Sequence, residues 1–353
     1  MTIGKRIQLG RYMSGLNISQ LAERAEVSPT AISKYERDMD VPGSKVLLRL
    51  ARALGVSVEF FLRPRTIPSI SPMNYRRRRS LGKKMERTLL ARAQDWLERY
   101  LEIERIVYGA GAAPTFIYPT AFPRKASSFE DVEKASEDLR KLWGLGIAPI
   151  GNLTEILEVK GIKVGVIEAD AKFDGLTFRP GDEQNSIAII TRAETPGDRQ
   201  RFDLACELGR LLLSPDGIDE EVAANRFAGA LLAPRQAVLS ELTDDKSALD
   251  PRVLYALKHT YGLSMGAWIR RAYDAGVISD AKFYSIRKYF GKRGWRKVEP
   301  WDQRQPELPQ RFEELVMQTM SRGIISTSKA TELLGRPVGI SFRSSARIPV
   351  VVR

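Results

Sequence analysis

Histidine and cysteine are almost missing from this 353-residue chain, which has one of each, His259 and Cys206. A single cysteine excludes an intrachain disulfide, so a reducing cytoplasm is the expected setting. A single histidine leaves no pair for a two-histidine metal centre. Long apolar runs are missing as well: nowhere do about 18 apolar residues follow one another without interruption. Met1 to Gly15 is broken by Lys5, Arg6 and Arg11 and has no apolar core of signal-peptide length. These absences predict a soluble cytoplasmic protein with no membrane partner. Acid is scarce relative to base, 43 Asp and Glu against 56 Lys and Arg, for a formal charge of +13. Such an excess favours a polyanionic partner, nucleic acid first and an anionic membrane surface second. At 43% hydrophobic, the chain has enough apolar material for two or three domains with ordinary cores.

What is present divides into four stretches. Residues 1–65 carry helical periodicity in short pieces, broken at Asn17, Ser28-Pro29, Val41-Pro42-Gly43 and Gly55, which predicts a bundle of about five helices. Residues 66–125 hold a proline-rich linker, the run Arg76 to Arg79, an amphipathic helix from Leu81 to Val107 read as a spacer or dimerising element, and a loop from Gly109 to Pro123. In residues 126–245 a helix from Phe129 to Leu142 precedes three β-rich runs, Ile162 to Glu168, Gly175 to Phe178 and Ser186 to Thr191, the last two joined by a turn at Pro180-Gly-Asp182. Helices follow from Thr195 to about Leu213 and from Asp219 to Leu232. Residues 246–353 read as helical apart from the apolar tail Ile348 to Val352. The fold class is therefore mainly α with a small antiparallel sheet, an α+β architecture: a five-helix bundle, a linker helix, an α+β domain and a helical carboxy-terminal part.

Leu16 to Arg37 has the grammar of a helix-turn-helix. Asn17 caps the second helix with Gln20 as its capping-box partner, Ser28 caps the third, and Pro29 takes that helix's first position. Leu21, Ala22, Val27 and Ile32 close the core, leaving Pro29, Thr30, Ser33 and Lys34 to enter a major groove and Arg37 nearer the backbone. Over residues 3 to 62, through Ala53 to Leu62, the sequence resembles the XRE family of repressor-like DNA-binding domains. The resemblance implies a double-stranded DNA operator as partner and a homodimer on paired half-sites. Ile18 departs from the family, which often has a polar, phosphate-touching residue there. The run Arg76 to Arg79, with Lys83, Lys84 and Arg87 behind it, is a candidate for flanking phosphates or a solvated basic helix start.

Arg201 to Leu213 keeps the frame of an H-E-x-x-H helix, in which two histidines one turn apart hold zinc and the glutamate activates its water. Here Cys206 and Arg210 occupy the histidine places, Glu207 the place of the base, and Glu221 on the next helix is positioned to come over the same point. With Asp138 to Gly146, Gly161 to Val164 and the stretch Glu221 to Pro234, the region resembles the ImmA/IrrE family of zincin-like metallopeptidase domains. The resemblance implies a site whose ligand positions are Cys206, Arg210 and Glu221, with Glu207 as base. A thiolate is a good zinc ligand, but a guanidinium stays protonated and has no lone pair for a metal. The expectation is a degenerate motif with no catalytic residues, no metal and no cofactor, in which Arg210 pairs with Glu221 or Glu207 or points to solvent. Cys206 reads as a small buried apolar residue, with a redox sensor as the alternative.

Lys258, Trp268, Arg270, Arg271, Lys282, Tyr284, Arg287, Lys288 and Tyr289 are read as aromatics packed inward, with a nucleic-acid or protein grip as the alternative. Ile325 to Gly335 has the look of a capped helix with a glycine stop. The leading functional expectation is a DNA-binding transcriptional regulator whose protease-like domain is non-catalytic and serves sensing, dimerisation or partner binding. Two alternatives are an antitoxin that neutralises a toxin partner and represses its own operon, and an active zinc peptidase with altered ligands.

Overall fold

In the computed structural model, the described residues are 2–63, 70–74, 82–109, 113–170, 173–180, 186–242 and 249–338. The run Arg76 to Arg79, most of the Pro180-Gly-Asp182 turn and the tail Ile348 to Val352 lie outside them. Five helices open the chain: α1 (Ile3–Met13), α2 (Ile18–Arg24), α3 (Pro29–Glu36), α4 (Ser44–Leu54) and α5 (Glu59–Leu62). Asn17 and Gln20 form the reciprocal capping box on α2, and Ser28 Oγ accepts from the Ala31 N–H at the start of α3. Ile7, Leu21, Ala22, Ile32, Leu50 and Phe60 fill the core between them.

Strand β1 (Ile70–Asn74) and the long α6 (Lys83–Tyr108) come next, then β2 (Arg124–Ala126), α7 (Phe129–Leu142), α8 (Leu153–Val159), β3 (Ile162–Ile167), β4 (Gly175–Pro180) and β5 (Ile187–Arg192). These are followed by α9 (Gly197–Leu212), β6 (Leu213–Pro215), α10 (Glu220–Leu232) and α11 (Arg235–Leu242). The chain ends in α12 (Pro251–Tyr261), α13 (Met265–Asp274), α14 (Asp280–Lys292), α15 (Arg311–Ser321) and α16 (Thr327–Leu334).

The main sheet has the order β1-β4-β5-β3. It is mixed instead of wholly antiparallel: β4 pairs with β5 antiparallel as expected, but β3 runs parallel to β5. Both strands are buried almost throughout, with α6 on one side of β3 and α8 on the other. Such double coverage is the setting of parallel pairing, and it goes with the unbroken apolar run Ile187–Ile190 and the largely apolar Ile162–Ile167, whose one charge, Lys163, is buried 3.1 Å from Glu104. Gly165 is required by that packing, since a Cβ there would lie 2.8 Å from the Trp96 ring of α6. The first strand of the sheet comes from the linker, where proline-rich text gave no sign of a strand.

The long helix is a central element and not a free spacer. Leu89, Ala93, Leu97, Tyr100 and Ile103 are buried within the chain, because α6 packs against α1, β3, α15 and α16 at once. Buried ion pairs fasten the first bundle to it: Arg6 pairs with Glu98, and Arg63 Nη1 lies 2.9 Å from Asp95. Helix α16, capped by Ser326 and stopped by Gly335, closes the junction through Glu332, 2.9 Å from Arg63 Nε.

Candidate functional site

Helix α3 presents its outer side to solvent. Pro29, Thr30, Lys34 and Arg37 are exposed and Ser33 is half-buried, while Ile32, Tyr35 and Glu36 turn inward. Arg37, at the end of the helix, folds back so that its guanidinium donates to Ser33 Oγ at 3.0 Å and to the Ser33 carbonyl at 3.1 Å. Beneath it a bidentate pair joins α1 to α3, with Arg11 Nε 2.5 Å from Glu36 Oε1 and Nη2 2.7 Å from Oε2. Arg11 also donates to the Leu16 carbonyl at 3.1 Å, so the turn before α2 is held by the same side chain. Forks of this kind add geometric definition as well as energy. The separation of 25 positions between Arg11 and Glu36 hides the pair from any reading of local spacing.

Helix α9 is the opposite case, with 14 of its 16 residues buried. One set of its polar side chains, Arg199, Asp203, Glu207 and Arg210, recurs at helical spacing. Arg199 is 3.1 Å from both Asp174 and Asp203. One turn further on, Cys206 is buried with its Sγ 3.3 Å from Asn225 Oδ1 of α10. Glu207 Oε2 accepts from Thr177 Oγ1 at 2.6 Å, and its Oε1 lies 3.5 Å from Arg210 Nη1. The two side chains of that pair are 2% and 4% exposed. Glu221, by contrast, is exposed in the first turn of α10. Cys206, Glu207 and Arg210 are therefore buried and Glu221 is exposed, and Asn225 of α10 reaches Cys206. Among the described residues, no group of three His, Cys, Asp or Glu side chains is placed to hold a metal ion.

Sequence reading missed Asn225, Thr177 and the glycines that let α9 come so close. A Cβ at Gly209 would lie 2.9 Å from the Phe227 ring, and one at Gly175 would lie 3.2 Å from Glu207 Cγ. The regular spacing of Arg199, Asp203, Glu207 and Arg210, at i to i+3 and i to i+4, is the one signal that could have revealed the polar stripe.

The carboxy-terminal helices divide between the two readings open to them. Trp268, Lys258 and Arg271 are buried, with Lys258 Nζ 3.0 Å from Glu299 and Arg271 Nη2 3.0 Å from Glu133. Lys282, Tyr284, Arg287, Lys288 and Tyr289 are exposed. His259 is half-buried on α12, its ring 4.6 Å from that of Tyr255 and its Nε2 3.3 Å from the Asp302 carbonyl. No helix among the described residues is long and apolar enough to cross a membrane.

Two family models match the chain, the helix-turn-helix over residues 11–61 and the IrrE N-terminal-like domain of peptidase family M78 over residues 158–273. The HTH-type transcriptional regulator ImmR of Bacillus subtilis (strain 168) is 32% identical over 62 residues, which is 18% of this chain and 49% of ImmR. Multiprotein-bridging factor 1 of Eremothecium gossypii is 35% identical over 57 residues, 16% of this chain and 38% of its own length. The chain thus spans half or less of these relatives. The second match runs from the end of α8 to α13, so it contains both α9 and the α10 residues that meet it. The chain accordingly joins an XRE-type helix-turn-helix domain to a domain of the ImmA/IrrE peptidase-like family.

Proposed function

We propose that this chain is a cytoplasmic, DNA-binding transcriptional regulator that reads an operator with α3 as a homodimer and uses its second domain without catalysis, for sensing or partner binding. Thr30, Ser33 and Lys34 contact base edges, and Pro29 and Arg37 border them. Repressor-like domains of this kind read half-sites about 34 to 36 Å apart in pairs.

The observation that carries the non-catalytic half is the burial of Arg210 beside Glu207. A zinc site needs lone pairs, and its general base needs freedom to take a proton from bound water. Here the second ligand position holds a fixed cation, and the base position accepts a hydroxyl hydrogen bond from Thr177 while facing that cation. Cys206 supplies one good donor and Asn225 a weak neutral one. These residues do not fit zinc. The guanidinium stands where the second ligand would be and pairs with the buried carboxylate of Glu207.

Zinc analysis of the dialysed full chain tests this directly: no bound zinc is expected, and about one equivalent retained would overturn the non-catalytic reading. A footprint of DNA sites across the genome tests the other half, and finding no specific site would remove it.

A further inference from the structure

We infer that the outer face of α14, with the turn that follows it, is a second duplex-DNA surface that grips phosphates without reading bases. This rests on the DNA-binding reading of α3. Between Asp280 and Glu299 the chain has seven Lys and Arg and no Asp or Glu, so more than half of the formal excess of +13 sits on 18 residues. All seven cations are exposed, and none is in an ion pair with a described residue. The acids at either end are occupied: Asp280 takes a hydrogen bond from Tyr273, and Glu299 holds Lys258 at 3.0 Å and the Gly266 N–H at 2.9 Å.

The helix is built to present this face. Phe283 and Phe290 are buried and Ile286 half-buried, at i, i+3 and i+7, which docks the apolar side on the rest of the fold. Tyr284, Lys288 and Lys292 then form one outward stripe, with Tyr284 68% exposed, and exposed Arg287 flanks it with its guanidinium 5.5 Å from the Phe283 ring. A helix lying in a lipid surface inserts its apolar face, and here that face is already used. Phosphates spaced along a duplex require only a row of cations. Thirteen residues make a helix about 20 Å long, the axial span of about six base pairs.

The experiment is fluorescence anisotropy with the full chain and a duplex of about 30 base pairs lacking any operator, titrated with salt from roughly 50 to 300 mM. Each phosphate contact adds about 0.9 to the slope of log K against log salt, so the triple variant Arg287→Ala, Lys288→Ala, Lys292→Ala is expected to lower that slope by about 2 to 3. Lys288→Glu alone lowers it by at least about 1, and Arg287→Lys leaves it in place. The altered side chains are exposed, so wild-type melting is expected of each. An unchanged slope in a triple variant that melts as wild type overturns the proposal. So does a loss confined to phosphatidylserine vesicles or to a single strand of equal length. Because the duplex carries no operator, a missing operator would remove the α3 reading and leave this measurement standing.

Discussion

Helices α3 and α9 each lie within a matched family model, yet one is built to be seen and the other to be hidden. Helix α3 buries three of its eight residues and relies on its caps, Ser28 and Pro29, to start in the right place. Helix α9 buries 14 of 16 residues and has no side-chain cap, because its neighbours on every side define it. Substitutions on α3 should therefore change what the protein binds, and substitutions on α9 should change whether the domain folds. A motif position can persist in sequence for either reason, and burial separates them.

The largest expected effect breaks or upholds the α9 half of that contrast. Arg210→Ala removes one partner of a buried ion pair and is expected to cost about 3 kcal/mol in urea unfolding. Cys206→Ala removes a small buried group and one weak contact to Asn225, and is expected to cost about 1 kcal/mol. Equal and negligible losses would mean that α9 tolerates change as an exposed helix does.

A buried carboxylate elsewhere in the second domain sharpens the same point through pH. Burial raises the Glu158 carboxyl from 4.5 to about 7, against the opposing help of the Gln310 and Arg311 backbone N–H groups that donate to it at 3.2 and 3.4 Å. Between those two values the folded chain holds a proton that the unfolded chain releases, so this group's contribution falls as pH rises through that window and is level above it. Glu158→Gln keeps an acceptor for both N–H groups and removes the titration. Its stability relative to the parent is expected to rise by on the order of 2 kcal/mol between pH 4.5 and 8 in urea melts at the two values. A parallel pair of pH profiles would show that this burial is not felt.

The expected effect on α3 is smaller and lies in another quantity. Lys34→Ala is expected to reduce discrimination between operator and random duplex by roughly tenfold, about 1.4 kcal/mol, with no change in melting temperature. Loss of stability without loss of discrimination would reverse the contrast with α9.

The sequence made α3 easier to read than α9 for the same physical reason. Asn17 with Gln20 and Ser28 with Pro29 act within four residues, so local text suffices to locate α2 and α3. The frame around Cys206, Glu207 and Arg210 was equally local. Its surroundings were not: Thr177 is 30 residues from Glu207, Asn225 is 19 from Cys206, and Arg6 is 92 from Glu98. The parallel pairing of β3 and the burial of α6 escaped because a covered strand and a covered helix depend on what packs over them. Glu221 was placed by motif spacing, and its exposure reflects its position in the first turn of α10, before the buried stripe of Ala223, Ala224 and Phe227 begins.

The smallest effect separates folding from reading within α3 itself. Ser28 Oγ accepts from the Ala31 N–H at 3.1 Å, satisfying one of the amides a helix start leaves open. Ser28→Ala removes that acceptor and is expected to cost about 1 kcal/mol of stability. Aspartate caps as well as serine, so Ser28→Asp should melt with the parent. It also puts a carboxylate at a helix start that, in the DNA complex, faces phosphates and is favourable to anions only while vacant. The two variants should therefore part company. Alanine lowers the melting temperature and leaves affinity nearly intact well below it, while aspartate keeps the melt and weakens DNA binding. If both variants lose binding in step with stability, α3 acts on DNA only through the bundle it helps to fold, and its exposed face is not the reading surface.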